Sequence, residues 1–268
     1  MVKYGIKMKS KIVVKIGTST LTAGTKKISR GKIEDIARQI DRLKENYDII
    51  LVSSGAIATA RQFVNIEGWE NIVQSKQALS AIGQPKLMQI YSEVFGDFNL
   101  KIAQCLMTYR DFENEVSRTN TANTISELLA HNYIPVINEN DTTAVEELIL
   151  GDNDKLSAMV ANLMDADRLI IASDIDGLFD KNPKLYSDAK LITEISDLET
   201  ISQFIEENDD GLGTGGMTSK INAVKICFEK HITVYIVNGS KSNFIEDSLK
   251  DAMEFTKLIP SVKATFNH

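Results

Sequence analysis

Residues 11–20 read KIVVKIGTST, a short β-branched run that stops at Gly17 and passes at once into three hydroxyl residues. Side chains alternate across a strand, so Lys15 shares its face with Val13 and Gly17. The run is otherwise too apolar for the surface, and burying an unpaired ammonium is very costly. Three situations accommodate such a lysine: an ion pair within the fold, an edge strand that leaves the ammonium in water, or an anionic ligand. The flexible backbone and hydroxyls of Gly17–Thr20, at the same strand end, favour the ligand.

Working outward, similar runs recur at Tyr47–Val52, Lys101–Met107, Ile134–Ile137, Arg168–Ala172 and Ile232–Val237. Between them lie helical periodicities, clear at Ile33, Ile36, Ala37, Ile40 and Leu43 and again at Leu156, Met159, Val160 and Leu163. Strands apolar on both faces and separated by helices predict an α/β fold, a mainly parallel sheet covered on two sides. In such sheets ligands collect beyond the carboxyl ends of the strands. Glycines and polar clusters follow Ile16, Val52, Ile137 and Ala172, at those ends.

The 268 residues, 43% of them apolar, suffice for a large core, and no Pro/Gly/Ser-rich linker divides them. One compact domain over residues 1–260 is expected, with 261–268 a loose tail. Thirty basic against 37 acidic side chains leave a formal charge of −7, which argues against a general nucleic-acid or anionic-membrane binder. Any phosphate affinity must be local. Cys105 and Cys227 offer neither a disulfide framework nor metal-ligand spacing, and the scattered His131, His231 and His268 make a zinc site improbable. The apolar run after the basic N-terminus is too short for a signal peptide, and no stretch approaches a membrane span. A cytoplasmic protein is the expectation.

Four further segments carry chemistry. Residues 211–220, GLGTGGMTSK, hold four glycines within six positions, so backbone N–H groups can approach a ligand. Met217, Ile221, Val224 and Phe228 then recur at helical spacing, and helix N-termini favour anions. Lys220 in the first turn of that helix is misplaced unless an anion lies beside it, and a phosphate would account for glycines, helix and lysine together. A mobile surface loop is the alternative, and the dinucleotide pattern of Gly211, Gly213 and Gly216 is weak because no strand precedes it. Ser53, Ser54 and Gly55 stand at a strand-to-helix turn, either as an ordinary serine N-cap or to present N–H groups to a carboxylate or phosphate. The run from Pro135 to Leu163 places Asn138, Glu139, Asn140 and Asp141 after a strand and Asp152, Asn153 and Asp154 at a helix start. Capping needs one such residue; this many could hold an ammonium, orient lysines or bind Mg²⁺ through water. Ser173 and Asp174 end another strand ahead of a tight turn.

Taken in order, VVKIGTS, SSGAIA, KQALSAIGQP (Lys76–Pro85), PVINEND, GDNDKLSA, SDIDGLFDKNP and GLGTGGMTSK make the sequence similar to the amino acid kinase family, over about Lys11 to Ile259. INEND with GDND resembles its glutamate kinase branch. The resemblance implies a three-layer αβα sandwich, ATP as phosphoryl donor with Mg²⁺, and the side-chain carboxylate of L-glutamate as acceptor. It implies catalytic roles for Lys15 and Lys220, oriented by Asp154. It also implies glutamate contacts at Ser54, Asp141 and Asn153 with Gly55 and Asn138 as neighbours. The ATP site would comprise Lys15, Gly17, Ser173, Asp174, Thr214, Gly215, Gly216, Met217, Thr218, Ser219 and Lys220, with no metal ligand supplied directly by the protein. Ser173 stands where threonine is usual, and Thr218 and Ser219 reverse a familiar order; both changes keep a hydroxyl. Many relatives continue into a C-terminal PUA domain, which is not expected here. Feedback by proline at or beside the glutamate site and a homo-oligomer, dimer or tetramer, are further implications. The rival readings are a kinase of the same fold acting on another carboxylate, carbamate or phosphate, and a non-catalytic amino-acid or nucleotide sensor, which intact Lys15, Lys220 and Asp154 disfavour.

Overall fold

The computed structural model describes residues 9–65, 67, 69, 72–144, 153–183, 185–197 and 216–261. Ten strands lie among them: β1 (Ser10–Ile16), β2 (Tyr47–Ser53), β3 (Lys101–Met107), β4 (Tyr133–Glu139), β5 (Arg168–Ser173), β6 (Leu178–Phe179), β7 (Leu191–Ile192), β8 (Glu194–Ile195), β9 (Thr233–Asn238) and β10 (Thr256–Leu258). The helices are α1 (Thr18–Thr22), α2 (Arg30–Leu43), α3 (Ala56–Ala60), α4 (Val73–Gly96), α5 (Arg110–Glu113), α6 (Glu115–Ala130), α7 (Asn153–Leu163), α8 (Gly216–Phe228) and α9 (Phe244–Leu249). The six long strands fall within two residues of the expected runs. The short β6–β8 and β10 lack a readable alternation.

Eight strands form one sheet in the order β3-β4-β2-β1-β5-β9-β10-β8. Every neighbouring pair is parallel except β9 with β10, while β6 and β7 make a separate antiparallel ribbon. From β1 the chain proceeds to β2 on one side, and from β5 to β9 on the other. The connections therefore diverge at the boundary of β1 and β5, which is where an open α/β sheet leaves a crevice. Strand β1 is central, so the edge-strand explanation of Lys15 does not hold.

Alternation along β1 divides the core. Ile12, Val14 and Ile16 pack on one face with α2, with Tyr91 and Phe95 of α4, and with Phe244 of α9. Val13 faces the other layer, among Leu156 and Val160 of α7 and Ile221 and Val224 of α8. Helices thus cover both faces of the sheet, in an αβα sandwich. Lys15, two residues on from Val13, must emerge on the side of α7 and α8.

Two expectations need correction. Thr18 to Thr20 form the first turn of α1, with the extended Gly17 at its N-cap, rather than a flexible loop. Three hydroxyl residues in a row are compatible with a short helix once its apolar Leu21 is buried. At the end of β2 the serine N-cap reading fails as well: the cap of α3 is Gly55, in the left-handed region at φ 106°, with no side-chain cap. That backbone conformation favours glycine.

Helix α4 crosses α3 so closely that a Cβ on Gly83 would stand 1.8 Å from the carbonyl oxygen of Ala56. Backbone meets backbone there, so no side-chain rotation can relieve an added methyl. Gly83→Ala should therefore destabilise the fold by about 3 kcal/mol, read as the shift of the urea midpoint followed by circular dichroism. A midpoint equal to the parent's would contradict this contact.

Candidate active site

Three side chains from distant parts of the chain meet at the end of β1. Lys15 Nζ lies 2.6 Å from Asp154 Oδ1 and Lys220 Nζ 2.9 Å from Asp154 Oδ2. One carboxylate thus clamps two ammonium groups, one on each oxygen. The Asp154 side chain is 2% exposed, and those of Lys15 and Lys220 are 10% and 11% exposed. Burial, the largest single influence on Asp154, pushes its carboxyl up. The charges and hydrogen bonds of Lys15 and Lys220 outweigh burial and hold it below the usual carboxylate range. Lys220 is the fifth residue of α8, and the anion beside it is this carboxylate.

Beside the clamp, Asn153 opens α7 together with Asp154 and faces a cavity of about 310 Å³ that Ser54, Gly55, Asn138 and Asp141 also line. All five residues expected to contact the acceptor therefore line one cavity. Asn153 Nδ2 donates to Ser54 Oγ at 2.7 Å and to Asn138 Oδ1 at 3.0 Å. Asp141 accepts a short hydrogen bond from Ser80 Oγ. Burial raises the Asp141 carboxyl above its ordinary value, and the serine hydroxyl offsets part of that. Arg61 and Lys76 line the same cavity; neither was singled out from the sequence, although Lys76 begins one of the quoted segments. A cavity of about 400 Å³ lies at the opposite ends of the strands, around Tyr47, Asp48 and Tyr133, and holds none of the expected residues.

Across the β1–β5 boundary the residues expected to hold the nucleotide are partly described. Gly17 is buried, and a Cβ there would come within 3.4 Å of Lys15 Nζ. Ser173 ends β5, and its Oγ lies 3.4 Å from Asp174 Oδ1. Next to it, at the end of β9, Asn238 Nδ2 donates to Asp176 Oδ1 at 3.1 Å, and Lys241 pairs with Asp176 at 2.5 Å. The sequence reading missed that small polar network, which joins loops 62 or more residues apart. Gly216 opens α8, Met217 packs on the core, Thr218 is exposed and Ser219 is buried. Asp152, Gly211, Gly213, Thr214 and Gly215 lie outside the described residues. Among the described residues no group of three His, Cys, Asp or Glu side chains could hold a metal ion, and no helix is long and apolar enough to cross a membrane.

A topological switch point, two buried lysines clamped by one aspartate and a polar cavity alongside thus meet at one end of the sheet. Residues 10–238 match the amino acid kinase family, and the chain belongs to that family. Within it, the chain is 44% identical over 237 residues to a glutamate 5-kinase of Caldanaerobacter subterraneus, covering 88% of this chain and 64% of that protein. It is 41% identical over 244 residues to the glutamate 5-kinase of Helicobacter hepaticus, covering 90% of each. The fold matches the crystal structure of UMP kinase from Ureaplasma parvum with a TM-score of 0.65 at 18% identity, over 94% of this chain and 99% of the other.

The clamp makes a pH-dependent prediction. A carboxyl whose value is lower in the folded than in the unfolded chain adds stability above the unfolded value, and that stability is lost as pH falls through the folded one. Asp154→Asn strands two ammonium groups and should cost roughly 3 kcal/mol at neutral pH. The gap between variant and parent should hold down to about pH 4 and close only below it. Denaturant titrations of both proteins at several pH values measure it.

Proposed function

We propose that this chain transfers the γ-phosphoryl group of ATP to the side-chain carboxylate of L-glutamate, giving L-glutamyl 5-phosphate and ADP, the first step of proline biosynthesis. One observation carries the proposal: a buried cluster of two lysines on one carboxylate, built by Lys15, Asp154 and Lys220, stands against a polar cavity whose wall begins at the adjacent residue, Asn153. The glutamate 5-kinase relatives support the choice of acceptor.

A carboxylate acceptor is already ionised, so no general base is required. Catalysis reduces to holding acceptor and donor in line and neutralising the oxygens of the migrating group. Lys15, on a central strand, and Lys220, on a helix of the covering layer, approach from different elements and supply that charge. Asp154 acts through them, as it restrains both ammonium groups and keeps either from collapsing on the ground-state phosphates. Ser54, Gly55, Asn138, Asp141 and Asn153 hold the glutamate. Gly17, Ser173, Asp174 and residues 214–220 hold ATP. Mg²⁺ bound with ATP would offset phosphate charge, and Asp154, whose two oxygens are engaged by lysines, would not be its ligand. Residues 1–260 act as one kinase domain in the cytoplasm, assembled as a dimer or tetramer.

The test is ADP release by the purified chain with a panel of acceptors. L-glutamate should support turnover, whereas a panel in which another carboxylate works and glutamate fails would reassign the acceptor. Lys15→Ala and Lys220→Ala should each lose about 10²-fold in kcat, the scale of one lost transition-state charge donor; turnover within threefold of the parent in both would remove them from the chemistry. Proline should slow the reaction at subsaturating glutamate and lose its effect as glutamate saturates. An unchanged rate would exclude a shared site.

A further inference from the structure

The cavity wall contains a chain of amides whose polarity is set from one end. The backbone N–H of Glu139 can only donate, and it donates to Asn138 Oδ1 at 2.9 Å. The other end of the Asn138 amide is therefore Nδ2, and it donates to Gln84 Oε1 on α4 at 2.9 Å. Asn138 Oδ1 also receives Asn153 Nδ2, which in turn bonds Ser54 Oγ. Both hydrogens of the Asn153 amide nitrogen are then engaged, so Asn153 must turn Oδ1 the other way. That oxygen is buried and finds no hydrogen-bond partner among the described residues, on a side chain only 4% exposed. A buried acceptor without a donor is costly, and a ligand that brings one relieves the cost.

We infer that Gln84 is a positioning residue for amino-acid selectivity: by accepting from Asn138 it locks the relay so that Asn153 Oδ1 receives a hydrogen from the α-ammonium group of the acceptor. This rests on the proposed reaction and adds to it the means by which an amino acid is told from a plain dicarboxylate. Only a donor satisfies Asn153 Oδ1, and the second acceptor lining the cavity, the Asp141 carboxylate, suits the same cation. Gln84 itself is 7% exposed and sits one residue beyond Gly83, the point of backbone contact between α4 and α3. The close approach at Gly83 is what brings the Gln84 amide to β4. Without the Gln84 acceptor, Asn138 Nδ2 is left buried and unpaired and Asn138 is held by the Glu139 N–H alone, so its side chain can swing away and release Asn153 from the relay.

The experiment compares L-glutamate with glutarate, which has both carboxylates and no ammonium group, in steady-state ADP release by the whole chain with Mg-ATP. Glutarate serves as a competitive inhibitor. Gln84→Leu should raise the KM for L-glutamate about tenfold, the loss expected when one buried hydrogen bond is broken, while the KM for ATP and the inhibition constant of glutarate stay within about twofold. Gln84→Glu, which keeps an acceptor at the same place, should return the ratio of glutamate to glutarate affinity to within about threefold of the parent. If Gln84→Leu does not fold, Gln84→Met, of similar length, takes its place. A glutamate KM unmoved by loss of the acceptor overturns the inference, as does a parallel rise for glutarate or a Gln84→Glu variant no better than Gln84→Leu. A parent enzyme that consumes no ATP with glutamate would instead overturn the proposed reaction, and that is seen before any variant is made.

Discussion

The two ion pairs on Asp154 join the central strand of the sheet to two helices of one covering layer. Lys15 is the last but one residue of β1, Asp154 is the second residue of α7, and Lys220 lies in α8, 66 residues further on. Neither lysine could be this buried without an anion, and the carboxylate could not be ionised at this depth without the lysines. Each group is tolerated only because the others are present. The requirement pins α7 and α8 against the same face of β1, beside the β1–β5 boundary.

In the proposed reaction the two ammonium groups gathered on one carboxylate are what an incoming phosphate meets. A buried ion pair that balanced would be inert toward an incoming phosphate, whereas two ammonium groups sharing one carboxylate retain attraction for further negative charge. The adjacency of Asn153 and Asp154 then matters. Successive residues at a helix start point in different directions, so one side chain faces the cavity while the next faces the lysines. The spacing between cavity and charge cluster is thereby set by a single peptide unit, which is stiff.

Helix α4 serves the same site from the other side. Its buried stripe runs through Ser80, Gly83, Gln84, Leu87, Tyr91, Val94 and Phe95, polar where it borders the cavity and apolar where it enters the core. A stripe of that mixed character has no clear hydrophobic period, which explains why the longest helix among the described residues left no helical signature in the sequence while α2, α7 and α8 did. Helix α6 is silent for the opposite reason: Ile125 alone is fully buried along its length, so there is little apolar periodicity to read.

What the sequence determined by itself was local. Apolar runs bounded by glycines or polar clusters located the six long strands, their alternation left Lys15 to an ion pair, an edge strand or an anionic ligand, and the order of short motifs carried the family. Which anion meets Lys15 was open at that level, because an ion pair and a ligand place the same demand on a buried lysine. Tertiary structure decided it, by bringing a carboxylate 139 positions away to 2.6 Å. It also decided the polarity of the amides around Asn153, since a hydrogen-bond direction depends on which partner lies opposite, and apart from the Glu139 N–H that polarises its neighbour Asn138 those partners belong to other elements.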